Sequence, residues 1–177
     1  MKTNNSFTIM KRLLSVILIL TISLTALAQK MSDSKNLAAV ADEQKIDLNI
    51  DFSNASILGV DFEDWVTGEP DWDQSYSEIR VKFIQAFNSI ADRGRHPHRA
   101  GSAPNSSYLL HIKIEKVKDD GSEVHALVCV ENKEGNTIYE KSMKGEQGRF
   151  GSVANLMGDA MEDLGYKVGR LFSSNAK

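Results

Sequence analysis

Three glycines, Gly158, Gly165 and Gly169, lie on one narrow line of a segment whose other residues repeat with a helical period. At about 100° per residue, Val153, Leu156, Met157, Ala160, Met161, Leu164, Val168, Leu171 and Phe172 share one apolar arc, broad enough for deep burial. Asn155, Asp159, Asp163, Tyr166, Lys167 and Arg170 take the other side, with Asp163 and Lys167 spaced for a modest i,i+4 pair in solvent. The glycine line runs along the edge of the apolar arc. Each glycine costs a helix interior about 1 kcal/mol relative to alanine, so about 3 kcal/mol must be recovered by close backbone approach. The helix is therefore expected to sit tightly on a sheet or a second helix, and Gly165→Leu to clash there. Ahead of it, Gly145, Gly148 and Gly151 punctuate a loop, and Ser152 stands at the N-cap position.

The first 28 residues read as a secretory signal peptide. Lys11-Arg12 precedes an apolar run from Leu13 to Leu27, and Ala26-Leu27-Ala28 supplies a small-x-small cleavage site. The run is short and carries Ser15, Thr21, Ser23 and Thr25, which suits a cleaved leader better than a permanent span. Removing Lys2, Lys11 and Arg12 while leaving all 24 acidic side chains takes the formal charge from −3 to −6. Such a chain is a poor partner for nucleic acid, and any membrane association is expected to be peripheral. The single cysteine, Cys129, lies in a strand-like run, so no internal disulfide is available.

Residues 29–45 are polar and read as a tether, partly helical around Leu37 to Ala41. Ile46, Leu48, Ile50 and Phe52 then alternate with polar residues as a half-buried strand. Ile57, Leu58 and Val60 form a short apolar piece broken by Gly59. Tyr76, Ile79, Phe83, Phe87 and Ile90 form a helical stripe over about Gln74 to Asp92. Two alternating runs, Leu110 to Ile114 and Val124 to Val130, flank Asp119-Asp120-Gly121-Ser122, a hairpin signal. A two-residue turn would pair Ile112 with Cys129. A loop one residue longer pairs Ile114 with Val128 and Ile112 with Val130, keeps the apolar residues on one face and sets His111 opposite Glu131, so it is preferred. Thr137 to Lys144 adds a further strand. The expected fold is α+β: a two-layer sandwich of order β-α-β-β-β-α over residues 46–172, with two helices on one face of a mainly antiparallel sheet and a tail at 173–177.

Two segments carry candidate binding residues. Residues 61–78 hold Trp65 and Trp72 among seven acids. Asp71, Asp73, Ser75 and Glu78 offer oxygen ligands for calcium, but the glycine and twelfth-position ligand of an EF-hand loop are missing. Exposed tryptophans would suit a glycan or peptide. The plainer reading is a turn at Thr67-Gly68-Glu69-Pro70, acids at the start of a helix and tryptophans capping the core. Residues 93–107 hold Arg93, Arg95, His96, His98 and Arg99 among prolines, glycines and small polar residues, and read as a solvated basic loop able to touch an anion. His96 and His98 have no third ligand in reach and arginines beside them, so no metal site is expected.

Arg149 adds a further cation in the glycine loop. That loop lacks the Lys-Ser/Thr of a phosphate-binding P-loop, and no serine or cysteine sits in a nucleophile motif. No catalytic residue and no cofactor is expected, and the pattern favours a protein that is not an enzyme.

The strand Ile46 to Phe52 ending in Ser53-Asn54, the helix carrying Phe83 and Phe87-Asn88, the meander Leu109 to Met143 and the closing glycine loop and helix resemble a group of small bacterial envelope modules. These are the TolB N-terminal domain and the lipoproteins that activate penicillin-binding proteins or assist outer-membrane export. Unlike the lipoproteins, this chain has no cysteine at the expected cleavage site. The resemblance implies a non-catalytic module, periplasmic or secreted after cleavage near Ala28, that binds another envelope protein or further copies of itself. The alternative is a small-ligand, glycan or metal-binding protein, or a hydrolase, using residues 61–78 and 93–99.

Overall fold

The computed structural model describes residues 37–118, 120–148 and 150–175, so the leader and the first part of the tether lie outside the described residues. The fold is α+β, with helices packed against a mixed seven-stranded sheet. A 3₁₀ turn at Leu37–Val40 leads into strands β1 (Lys45–Asp51), β2 (Ser56–Ile57) and β3 (Val60–Asp61). Helices α1 (Phe62–Val66) and α2 (Trp72–Ala91) come next, then β4 (Arg99–Gly101), β5 (Tyr108–Val117), β6 (Glu123–Asn132), β7 (Thr137–Glu146) and helix α3 (Val153–Asn175). The expected order of long elements is present, with β2, β3, α1 and β4 added. The tether expected at 29–45 is only partly one: Leu37 and Val40 are 1% exposed and join the core. At the other end α3 takes in residues 173–175 of the expected tail.

β5 is the strand on which the sheet is assembled. Along one edge it pairs antiparallel with β6, and β6 pairs antiparallel with β7. Along the other edge it pairs in parallel first with β1, over Leu109 to Lys113, and then with β2, at Lys116 and Val117. β4 adds in parallel to the start of β1, and β3 folds back on β2. The turn between β2 and β3 has two residues, Leu58 and Gly59, at φ of 54° and 82°. Positive φ at both central positions gives a turn whose twist matches that of the strands it joins.

The β5–β6 register differs from the one expected. Ile112 faces Val128, Ile114 faces Ala126, and His111 lies opposite Cys129. Next to the turn, Val117 pairs with Val124, the register that a two-residue Asp-Gly turn implies. The ladder shifts by one residue between Ile114 and Lys116, so Glu115 is bulged out into solvent. That extra residue restores the parity that a buried face demands. The core side of β5 is thus lined by Leu110, Ile112 and Ile114 before the bulge and by Val117 after it, all buried.

The glycine line of α3 faces α2. A Cβ at Gly165 would lie 2.6 Å from the Phe83 carbonyl oxygen, and one at Gly169 would lie 2.7 Å from that of Phe87. Gly158 lies instead under the aliphatic stem of Lys82, whose Nζ reaches Asp159 at 2.6 Å. The same helix rests on β7, where a Cβ at Gly145 would sit 1.9 Å from the Ala160 carbonyl oxygen. Ser152 caps the helix by accepting a hydrogen bond from the Asn155 amide at 3.3 Å.

These contacts set a graded series. Gly145→Ala and Gly165→Ala are each expected to destabilise the fold by about 1–3 kcal/mol through overpacking against backbone, despite the better helix propensity at 165. Gly101→Ala meets nothing within 4 Å and is expected to be near neutral. Denaturant midpoints of the three variants would check this; equal stability of Gly145→Ala and the parent would show that α3 does not lie on β7.

Candidate functional site

The Trp-acid segment packs around the N-terminal end of α2. Phe52, at the end of β1, is the centre of an aromatic cluster with Phe62 at 5.9 Å, Trp72 at 5.2 Å and Tyr76 at 6.2 Å between ring centroids. Trp65 stands edge-on to Trp72 at 5.4 Å. Both tryptophans are half-buried and cap the core, which is the plainer of the sequence readings. Asp71 and Asp73 begin α2, and Glu78 is bonded by Gln74 along the helix. Among the described residues no group of three or more His, Cys, Asp or Glu side chains is placed to hold a metal ion. A shallow groove of about 300 Å³ beside the cluster is lined by Ser53, Asn54, Ala55, Asp61, Phe62, Glu63 and Asp64.

The Arg-His segment lies elsewhere, and it is not the solvated loop expected from its composition. His98 is fully buried against Phe172, with ring centroids 5.5 Å apart. Its Nδ1–H donates to the Glu43 carbonyl at 2.7 Å, while Nε2 is enclosed without a partner among the described residues. Asn88 clamps Ala100, donating to its carbonyl and accepting from its amide. Asp47 holds the Ala103 amide, and Glu43 holds Ser106 and Ser107. Arg93, Arg95 and Arg99 are exposed and His96 is half-exposed. Arg99 approaches Asp92 at 3.9 Å. Arg149 lies outside the described residues, and its neighbour Phe150 is 92% exposed.

The two segments do not converge. The tryptophans cluster at the N-terminal end of α2, whereas Arg99 pairs with Lys45 at the start of β1 and Gly94 abuts Ser173 beyond the C-terminal end of α2. A helix of 20 residues separates them by about 30 Å.

Chemistry-bearing side chains are instead brought together on the sheet face turned away from α2 and α3. His111 sits between two carboxylates, with Nε2 3.7 Å from Asp51 and Nδ1 3.3 Å from Glu131. Lys113 reaches the same Glu131 oxygen at 3.1 Å, and Asn49 lies 3.3 Å from His111 Nε2. Burial works against ionising Glu131, yet hydrogen bonds from Lys113 and His111 outweigh it and hold the carboxyl below its usual range. The Ser53 amide does the same for Asp51. Across from His111, burial pushes the Cys129 thiol upward, which keeps it protonated and poorly nucleophilic. A second cluster nearer the hairpin turn joins Glu123 to Lys118 at 2.7 Å and to His125, with Lys144 3.9 Å away. The Lys118 ammonium is the main cause of a Glu123 carboxyl held at about 2.

The expected His111–Glu131 pair is therefore present, but diagonally rather than directly across the strands. The spacing of charges in three strands gives no sign that Asp51 would join them, because it depends on β1 lying parallel to β5.

Burial of His98 has a consequence for pH. Desolvation lowers its folded-state pKa below the ordinary 6.5, opposed by the bond to Glu43 and aided by repulsion from His96. Neutral His98 therefore contributes stability that is complete above pH 6.5 and is lost as pH falls below it, because the unfolded chain takes up the proton first. Melting temperature is expected to drop between about pH 7 and pH 5, and His98→Phe to flatten that drop. An unchanged slope in the variant would assign the pH dependence to other groups.

No family model and no curated protein matches the chain. Among solved structures it is similar to the PelC dodecamer from Paraburkholderia phytofirmans, with a TM-score of 0.42 and 12% identity over 75% of this chain and 89% of PelC. A point variant of the same dodecamer gives a TM-score of 0.35 and 11% identity, covering 68% of this chain and 88% of that one. A Xanthomonas campestris protein of the family DUF330 gives 0.38 and 9% identity over 55% of this chain, which spans 60% of that protein's length.

Proposed function

We propose that this protein is an exported, non-catalytic assembly module of a Gram-negative-type cell envelope. It is cut near Ala28, resides in the periplasm or outside the cell, and works by binding another envelope protein or further copies of itself. The leader-like Lys11-Arg12, apolar run and Ala26-Leu27-Ala28 support export. The observation that carries the assembly reading is the sheet face that no helix covers among the described residues. Its ionisable groups are matched to one another, with His111 and Lys113 on Glu131 and Lys118 and His125 on Glu123. A face of paired charges interleaved with the half-buried Leu109 and Leu127 resembles a contact surface more than a reaction centre. The pattern-level resemblance to the TolB N-terminal domain and to penicillin-binding-protein activators supports the same reading. The small-ligand alternative loses its main support because residues 61–78 and 93–99 lie at opposite ends of α2.

Expression of the chain from its own start, followed by fractionation and light scattering, tests this. The expected product lacks about the first 28 residues, as the small-x-small rule places the cut, and is recovered from the envelope as a defined oligomer or with a stable partner. Recovery of an uncut protein from the cytoplasm, or of a free monomer from the envelope at every concentration, would sink the proposal.

A further inference from the structure

Among the described residues the sheet ends in the short strands β3 and β4 on one side and in the long strand β7 on the other. Along the outer side of β1, β4 covers Lys45 to Asp47, and α2 covers the remainder of the strand: Arg80 donates to the Leu48 carbonyl at 3.1 Å and Tyr76 to the Ile50 carbonyl at 2.9 Å. β7, ten residues long, pairs with β6 alone among the described residues. The Gln147 amide donates to Ser122, and the Lys118 amide to Glu123 on the opposite side of β6. From Tyr139 onward, past the register shift opposite Val130 and Glu131, odd-numbered residues of β7 therefore turn their backbone groups towards β6, and Glu140, Ser142, Lys144 and Glu146 turn theirs outward. Two of these outward groups are capped from α3: Asp163 accepts from the Glu146 amide at 2.9 Å, and Lys167 donates to the Lys144 carbonyl at 2.9 Å. Beyond them, Glu140 and Ser142 present an exposed run of backbone donors and acceptors, which is a template for another strand.

We infer that β7 pairs antiparallel with β7 of a second copy, with the two-fold axis at Ser142. This inference rests on the assembly reading above and names the surface it uses. The charges select the register. Centred on Ser142, the pairing sets Glu140 opposite Lys144 of the second copy, twice by symmetry, and Lys141 opposite Met143. Centring on Glu140 opposes two glutamates, and centring on Lys141 opposes two lysines, each destabilising. Centring on Met143 sets Glu140 against Glu146, whose amide Asp163 already occupies. In the Ser142 register the strand gains about four hydrogen bonds between copies without drawing on the capped Lys144 carbonyl, and the α3 caps end the pairing at Lys144. Lys144 already lies by Glu146 and Glu123, so Glu140 of the second copy joins an existing charge cluster.

The protein as recovered from the envelope is tested with introduced cysteines. Cys129 is buried, so the parent is expected to be inert to a short thiol cross-linker. Ser142→Cys places two thiols on Cα atoms about 5.5 Å apart and is expected to give a cross-linked dimer. Glu140→Cys moves them about 13 Å apart along the strand and is expected to give none. In parallel, Glu140→Lys and Lys144→Glu are each expected to weaken dimerisation about tenfold, and the double swap to restore it. Cross-linking through residue 140 equal to that through 142, or single swaps that leave the dimer unaffected, would overturn the pairing. If the chain is still assembled by light scattering in that case, the assembly reading survives and only this edge is wrong; a monomer throughout removes both.

Discussion

Everything in this fold is referred to the depth at which α3 can settle. Its backbone approaches α2 at Phe83 and Phe87 and approaches β7 at Gly145, and at each of these places a single methyl group would collide with a carbonyl oxygen. Without that approach, Met157, Met161, Leu164 and Val168 would not reach the sheet face made by Ile112, Val124, Val128 and Val130, all of them fully buried. The glycines lower the intrinsic stability of the helix by about 1 kcal/mol each. Dense packing of two helices and a strand offsets that loss, because contact energy falls off steeply once a gap opens between packed surfaces.

How far the sequence discloses this depends on whether a feature is periodic. The apolar arc and glycine line of α3, the stripe of α2 and the alternation of β1, β5 and β6 are all regular over many residues, and the architecture grows out of them. The bulge at Glu115 is also visible, as a change of phase: the apolar positions of β5 run 110, 112, 114 and then 117, whereas those of β6 run unbroken from 124 to 130. A longer turn loop and a bulge both restore parity, and only the second also buries Val117 opposite Val124.

Other features have no period to show. Leu37 and Val40 are three residues apart in a single turn, too short for a pattern. β4 lies in a run of prolines, glycines and arginines, and the burial of His98 and Ala100 depends on Asn88, Glu43 and Phe172, none of them adjacent in sequence. Alternation identifies β1 as a half-buried strand but carries no information on direction. Its parallel alignment with β5 is what delivers Asp51 and Asn49 to His111, so the charge network on the open face is hidden for the same reason.

Asp163 and Lys167 tie the packing of the core to the exposed edge. By spacing they form a solvent-facing pair on α3, and they do contact each other at 2.7 Å. They also turn back onto the backbone of β7, so the outer face of the helix is not simply solvated but defines where the free part of the edge strand stops. Since α3 is positioned by Gly145, Gly165 and Gly169, the length of exposed β7 is set by the same close approach that closes the core. A substitution that lifts α3 would withdraw these caps as well as loosen the packing, leaving a longer unpaired edge on a less stable domain. Long uncapped edges pair indiscriminately. The glycine line thus protects the specificity of the edge as well as the stability of the core.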